Sequence, residues 1–149
     1  MQTALMDGAK ETGISVLRMI ERLDAGDVLL QKKITVGADE NIAQLKQRLS
    51  VLGVEALREG LDAIEHGNAR FTMQNEGQAS YTRKISKSDG CLDWSLPAAR
   101  LHDRVRAFVG WPGSYFFFKG KRIVVGKTRV ESRQAVGKPG TVLKASAAA

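Results

Sequence analysis

The 149 residues, 43% hydrophobic and 26% charged, are enough for one ordinary globular domain or two small pieces. No apolar run approaches the ~20 residues of a membrane span, and the segment after Met1 has neither the basic head nor the apolar run of a secretory signal. A single cysteine, Cys91, rules out an internal disulfide framework and fits a reducing cytoplasm, and with His66 and His102 it gives no metal-ligand spacing.

Charge is uneven along the chain. Residues 1–80 hold 9 Lys/Arg against 12 Asp/Glu, a net of −3; residues 81–149 hold 14 against 4, a net of +10. A basic half suits a polyanion, most commonly nucleic acid, because each phosphate neutralised by Lys or Arg releases counterions. A solubilising basic surface is the other reading.

In chain order, residues 13–20 form a mostly apolar, partly alternating run that predicts a strand. Leu23-Asp24-Ala25-Gly26-Asp27 reads as a turn, and residues 28–36 as a second strand returning from it. A helix is predicted over about 41–66, with Ile42, Leu45, Leu49, Leu52, Leu57, Leu61 and Ile64 recurring at threes and fours. Asp39 or Asn41 can cap its start, Gly67 follows its end, and Gly53 is a candidate bend. Residues 67–90 have little apolar periodicity and read as a linker with one short strand around 79–85. A second helix is expected over 96–108 with Pro97 in its first turn. Strand signals follow at 114–118, after a Lys119-Gly120-Lys121 turn at 122–130, and at 141–144 beyond Pro139-Gly140. Short strands with Gly turns suggest a barrel or sandwich, and three strands leave such a barrel with open edges.

The turn at Asp24 is the one constellation that looks chemical. A carboxylate held on a tight turn between apolar strands can handle protons or orient an imidazole. Equally, Asp and Gly can serve backbone geometry alone, as they do in many turns.

Glu11-Thr12-Gly13-Ile14-Ser15 followed by Leu23-Asp24-Ala25-Gly26-Asp27-Val28-Leu29 resembles the second half of the formyl-folate transferase catalytic domain. Tyr81-Thr82-Arg83-Lys84-Ile85-Ser86-Lys87, Asp93-Trp94-Ser95, and Arg106-Ala107-Phe108 with Trp111-Pro112-Gly113 are similar to the methionyl-tRNA formyltransferases in particular. The resemblance runs from about Thr3 to Lys144. The Asp-x-Gly turn is shared across the superfamily. The later segments, in order and at fitting spacing, are more specific.

What the resemblance implies is an α/β fragment, the end of a formyltransferase Rossmann-like domain, followed by a mostly β, OB-like barrel that is itself incomplete. Residues 1–68 would be the catalytic part, 69–90 the linker and 91–149 the tRNA-contacting part. The implied reaction moves a formyl group from 10-formyltetrahydrofolate to the amino group of methionyl-initiator tRNA, without a metal or a membrane, in an enzyme whose full form is monomeric. Asp24 sits where the family's catalytic Asp does, and the backbone of Ile20, Glu21 and Arg22 would line the folate's pterin pocket. The family's Asn-x-His segment and its Ser-Leu-Leu-Pro loop do not occur in these residues. His66 and His102 are in other places and read as exposed helix residues. The chain by itself is therefore expected to be inactive.

Arg83, Lys84, Lys87, Arg104, Arg106, Lys119, Lys121 and Arg122 are the candidate tRNA phosphate contacts. Among the aromatics, alternation sends some of Tyr115–Phe118 inward; Trp94 and Trp111 are expected to pack. Another formyl-folate enzyme and a non-catalytic tRNA-binding module are the competing readings. Residues 1–40, as one edge of a parallel sheet without its neighbours, are expected to be marginally stable or to self-associate.

Overall fold

A computed structural model describes residues 1–132 and 137–145. The first element is a helix with no periodic signal in the sequence, α1 (Gln2–Met6), whose Leu5 is fully buried. Two strands follow, β1 (Glu11–Leu17) and β2 (Val28–Thr35), paired antiparallel from Glu11↔Thr35 to Leu17↔Val28 with an irregularity at Val16/Leu17. The expected parallel-sheet edge is thus a two-stranded antiparallel hairpin. The first strand also stops earlier than its composition suggests: Met19 is 94% exposed and Ile20 half-exposed, so residues 18–20 belong to the loop.

The long helix α2 (Ile42–Glu65) forms with the boundaries its periodicity predicts. Asn41, not Asp39, caps it. Its Oδ1 accepts from the Ala43 and Gln44 N–H groups at 2.9 and 3.1 Å, and Gln44 Oε1 accepts from the Asn41 N–H at 3.0 Å. The helix runs unbroken through Gly53, where a Cβ would stand 4.0 Å from Ile14 Cδ1 of the hairpin. Gly60 lets the hairpin approach more closely; its Cβ would lie 3.3 Å from Leu29 and 3.4 Å from Val16.

The linker contains no strand at 79–85. Instead Thr72 bridges Val28 through two 2.8 Å hydrogen bonds, and 3-10 turns form at Glu76–Gln78 and Lys87–Gly90. The chain then enters α3 (Ala98–Ala107), which starts after Pro97 rather than with it inside the first turn. β3 (Ser114–Phe118) and β4 (Lys121–Val125) form a tight antiparallel hairpin. Lys119 (φ 47°) and Gly120 (φ 75°) supply the two left-handed residues that a two-residue hairpin turn requires. β4 ends at Val125 rather than Val130, and the expected strand at 141–144 is irregular; Thr141 Oγ1 there bonds the Lys138 carbonyl at 2.7 Å. No closed barrel is present among the described residues; the second sheet has two strands. The expected tRNA-contacting part extends over residues 133–136 and 146–149, which lie outside the described residues.

One core joins the halves. Leu5, Val36, Leu45, Leu49, Ala107 and Phe108 pack together, with Ile14, Ile34, Leu52 and Ile85 at its margin. Gln2 Nε2 donates to the Ala107 and Trp111 carbonyls at 3.2 and 2.9 Å. α2 also carries a second apolar stripe, Val54, Leu57, Leu61 and Ile64, which is 52–71% exposed. This stripe lies outside residues 1–40, for which self-association is expected from the sequence.

Candidate active site and basic surface

The loop between β1 and β2 holds Asp24 in the left-handed region at φ 54°, an uncommon setting that Asp tolerates better than most residues. Gly26 explains the glycine of the Asp-x-Gly turn. A Cβ there would stand 1.7 Å from the Arg18 carbonyl oxygen, so no side chain fits. The loop is closed at its base by the Arg18 N–H bonding the Asp27 carbonyl at 2.9 Å. Arg18 also lies over the Phe71 ring at 4.0 Å, and Arg22 pairs with Glu76 at 2.8 Å. Gln74 Nε2 donates to both the Asp24 carbonyl (2.8 Å) and the Gly26 carbonyl (2.7 Å). The Asp24 carboxylate itself is exposed and makes no hydrogen bond or ion pair with another described residue.

Asp24 borders an open groove of about 1060 Å³ between the loop, β2 and the linker, lined also by Arg22, Leu29, Gln74 and Tyr81. Of the expected folate-binding segment, Arg22 reaches this groove; Ile20 and Glu21 are not among its lining residues. Phe71, Gln74 and Glu76 carry no signal in the sequence. They fall in a stretch without hydrophobic periodicity, and only folding brings them against a loop some fifty residues away. Neither histidine approaches Asp24. His66 is exposed, with Nδ1 2.7 Å from the Asp62 carbonyl. His102, expected to be exposed, has a side chain only 12% exposed. It is wedged between the halves, 2.9 Å from Thr128 Oγ1, 3.2 Å from the Ala38 carbonyl and 3.3 Å from Asp39. Its polar sequence neighbours conceal this, since the covering groups come from distant segments.

The eight candidate phosphate contacts divide. Arg106 is buried at 6% exposure and cannot meet a phosphate: its Nε bonds Asp103 at 2.8 Å, and its NH1 donates to the Gly37 and Glu40 carbonyls at 3.1 Å. Arg104 is half-buried, donates to the Asp89 carbonyl and lies 5.4 Å over Phe108. Arg83 forks onto the Asp89 carboxylate. That pairing, with help from the Ser86 N–H and hydroxyl, holds the Asp89 carboxyl far below the usual range. All three arginines bond groups within the chain, Arg83 with a side chain that remains 70% exposed. Lys84, Lys87, Lys119, Lys121 and Arg122 are exposed and without a carboxylate partner among the described residues, as are Lys127 and Arg129, which the motifs do not single out.

Tyr115 organises this surface. Arg122 lies 4.0 Å over its ring, and the Tyr115 hydroxyl reaches the Lys87 carbonyl at 3.5 Å. Phe117 and Phe118 remain 63% and 52% exposed, and Lys119 stands 5.6 Å over Phe118. Trp94 packs edge-on to Phe116 at 5.2 Å but stays 38% exposed, and Trp111 is 49% exposed, so both expected packing residues are only partly covered. Among the described residues no cluster of His, Cys, Asp or Glu could hold a metal ion, and no helix is long and apolar enough to cross a membrane.

Residues 1–61 match the formyl transferase family model, and residues 84–149 match the formyl transferase C-terminal domain. The chain belongs to the formyl transferase family. Similar curated proteins are the methionyl-tRNA formyltransferases of Alkaliphilus metalliredigens, 35% identical over 95% of this chain and 45% of the relative, and of Anaeromyxobacter dehalogenans, 39% identical over 94% and 46%. The chain thus spans less than half the length of these formyl transferases. Among solved structures, HypX from Aquifex aeolicus in complex with tetrahydrofolic acid superposes with a TM-score of 0.71 at 25% identity, covering 95% of this chain and 25% of HypX.

Proposed function

We propose that this chain contributes the Asp24 loop and a basic tRNA-facing surface to a methionyl-tRNA formyltransferase. The observation that carries this reading is the unpartnered Asp24 carboxylate, held on a left-handed turn at the rim of a groove. In the proposed reaction the methionine amine attacks the formyl carbon of 10-formyltetrahydrofolate. A new C–N bond forms as the bond to folate N10 breaks; the amine gives up one proton and N10 gains one. Asp24 would orient the imidazole that moves these protons and balance its charge. The linker and the loop around Arg22 would hold the pterin end of the folate. Identity of 35–39% to curated relatives supports the tRNA substrate. The likeness to HypX favours, as a second reading, another enzyme that uses a folate-borne one-carbon group. Residues 1–68, 69–90 and 91–149 remain the proposed catalytic, linker and tRNA-contacting segments, in the cytoplasm, with a monomeric full-length enzyme.

The 149 residues lack the Asn and His expected to share the reaction with Asp24. The expected result is no formylation of methionyl-initiator tRNA by the purified chain. Turnover near that of a full-length relative overturns this. Binding is expected all the same: the stable analogue 5-formyltetrahydrofolate and initiator tRNA should each give a saturable titration. Failure of both would sink the functional reading.

The basic surface makes a separate prediction. Replacing Lys119, Lys121 and Arg122 together with Ala should weaken tRNA binding and flatten its logarithmic salt dependence by about two to three, at roughly 0.7–0.9 for each phosphate that is no longer neutralised. Replacing Arg106 should leave that slope unchanged in the fraction that remains folded. An unaltered slope in the triple variant counts against this surface.

A further inference from the structure

The stretch between the two matched segments, residues 62–83, holds the last turn of α2 and most of the linker and falls outside both family matches. It nevertheless grips the Asp24 loop at four points. Phe71 underlies Arg18, Thr72 bridges Val28, Glu76 pairs with Arg22, and the Gln74 amide binds two loop carbonyls. Only the last of these acts at Asp24 itself. Both partners of Gln74 are carbonyl oxygens, so the side chain must present its NH₂ group, one hydrogen to each. Those two bonds fix the carbonyls on either side of Ala25. The neighbouring φ of 54° at Asp24 is an uncommon conformation, tolerated by Asp, that these bonds help to hold.

We propose that Gln74 is a positioning residue of the formyl-transfer site, setting the direction of the Asp24 carboxylate into the groove through the loop backbone. This rests on the functional reading above. It assigns the linker a place in the site rather than a mere connecting role. The carboxylate has no side-chain partner among the described residues, so its direction follows from the backbone that carries it. Loss of the amide would free the loop and leave the core in place, since Gln74 is not a member of the buried cluster.

The test uses the whole chain with Gln74→Met, which removes both donors, and Gln74→Glu, which presents a carboxylate to the same two carbonyls. The measurements are amide exchange at Ala25, Gly26 and Asp27, carbonyl carbon shifts of Asp24 and Gly26, and the dissociation constant for 5-formyltetrahydrofolate. Both variants should keep the wild-type melting temperature at pH 7. They should exchange the loop amides about tenfold faster and bind the probe about tenfold more weakly, as expected for two modest hydrogen bonds. In Gln74→Glu the loop shifts should move back toward wild type as pH falls through the range where a free Glu protonates, about 4.3, because the acid form regains one donor. A purely space-filling role predicts no such pH-dependent rescue. Wild-type exchange and carbonyl shifts in Gln74→Met overturn the proposal, and so does a freed loop that binds the probe as tightly as wild type. A wild-type chain that ignores the probe overturns the formyl-folate reading instead; exchange and carbonyl shifts then decide whether Gln74 sets the loop.

Discussion

Phe108→Ala is expected to unfold both halves of the chain together. Phe108 is fully buried and is the largest side chain in the core. It stands at the end of α3, yet the cluster around it is drawn mainly from the first half: Leu5 of α1, Val36 after β2, and Leu45 and Leu49 of α2. Truncating a buried Phe costs about 3–5 kcal/mol, through lost transfer energy and the cavity left behind. A domain of this size is stable by about 5–15 kcal/mol, so the loss is a large share of the whole. Because the core is shared, both halves feel it. Fluorescence of Trp94 and Trp111 reports the second half, and amide exchange at Leu45 and Leu49 reports the first. Both should lose protection at the same lowered temperature. Persistent protection in α2 after the tryptophan transition would mean that the halves are held separately.

Arg106→Ala should cost about as much, for a different reason. Its guanidinium and the Asp103 carboxylate are 7% and 14% exposed, 2.7 Å apart. The same guanidinium satisfies the carbonyls of Gly37 and Glu40. Removing one partner of such a buried pair leaves the other charge without compensation, at about 3–5 kcal/mol. For ~150 residues this amounts to a fall in melting temperature on the order of 10 °C. Glu40 adds to the effect. Burial pushes its carboxyl up, but Arg48, the Gly37 N–H and the charge of Arg106 together hold it below its usual range. Arg106→Met keeps the length of the side chain and loses the same bonds, so it should be nearly as damaging. A melting temperature within about 2 °C of wild type in both variants would show that the 37–40 loop is not anchored through Arg106.

How much of this is legible from the residues depends on the range of the interaction. The helix over Ile42–Glu65 and its Asn41 cap are written in local spacing and local hydrogen bonds, so periodicity locates them nearly to the residue. The Lys119-Gly120 turn is equally local. The Asp24 turn can be seen as a turn, but its glycine owes its place to the Arg18 carbonyl, which the folded loop brings within 1.7 Å of a would-be Cβ. Gln74 is the opposite case: a glutamine in an aperiodic segment carries no local signal, and its role exists only where the linker crosses the loop.

The basic second half has the same limit. Composition establishes that residues 81–149 are cationic, with a net charge of +10. It does not say which charges face water. Arg106 and Lys119 look alike in sequence. One is enclosed by Asp103 and two carbonyls, while the other stands at an open hairpin turn. His102 is likewise hidden, because the groups that cover it, Ala38, Asp39 and Thr128, come from other elements.

The sequence by itself determined the family, the long helix, both hairpin turns and the carboxylate at residue 24. These rest on residue types at short spacing, which local backbone preference and side-chain pattern convert directly into structure. The tertiary structure decided which cations are free, where the histidines lie, that one core serves both halves, and that the linker holds the Asp24 loop. Each of those depends on burial or on partners distant in the chain, and burial is a property of the packed molecule rather than of any residue in it.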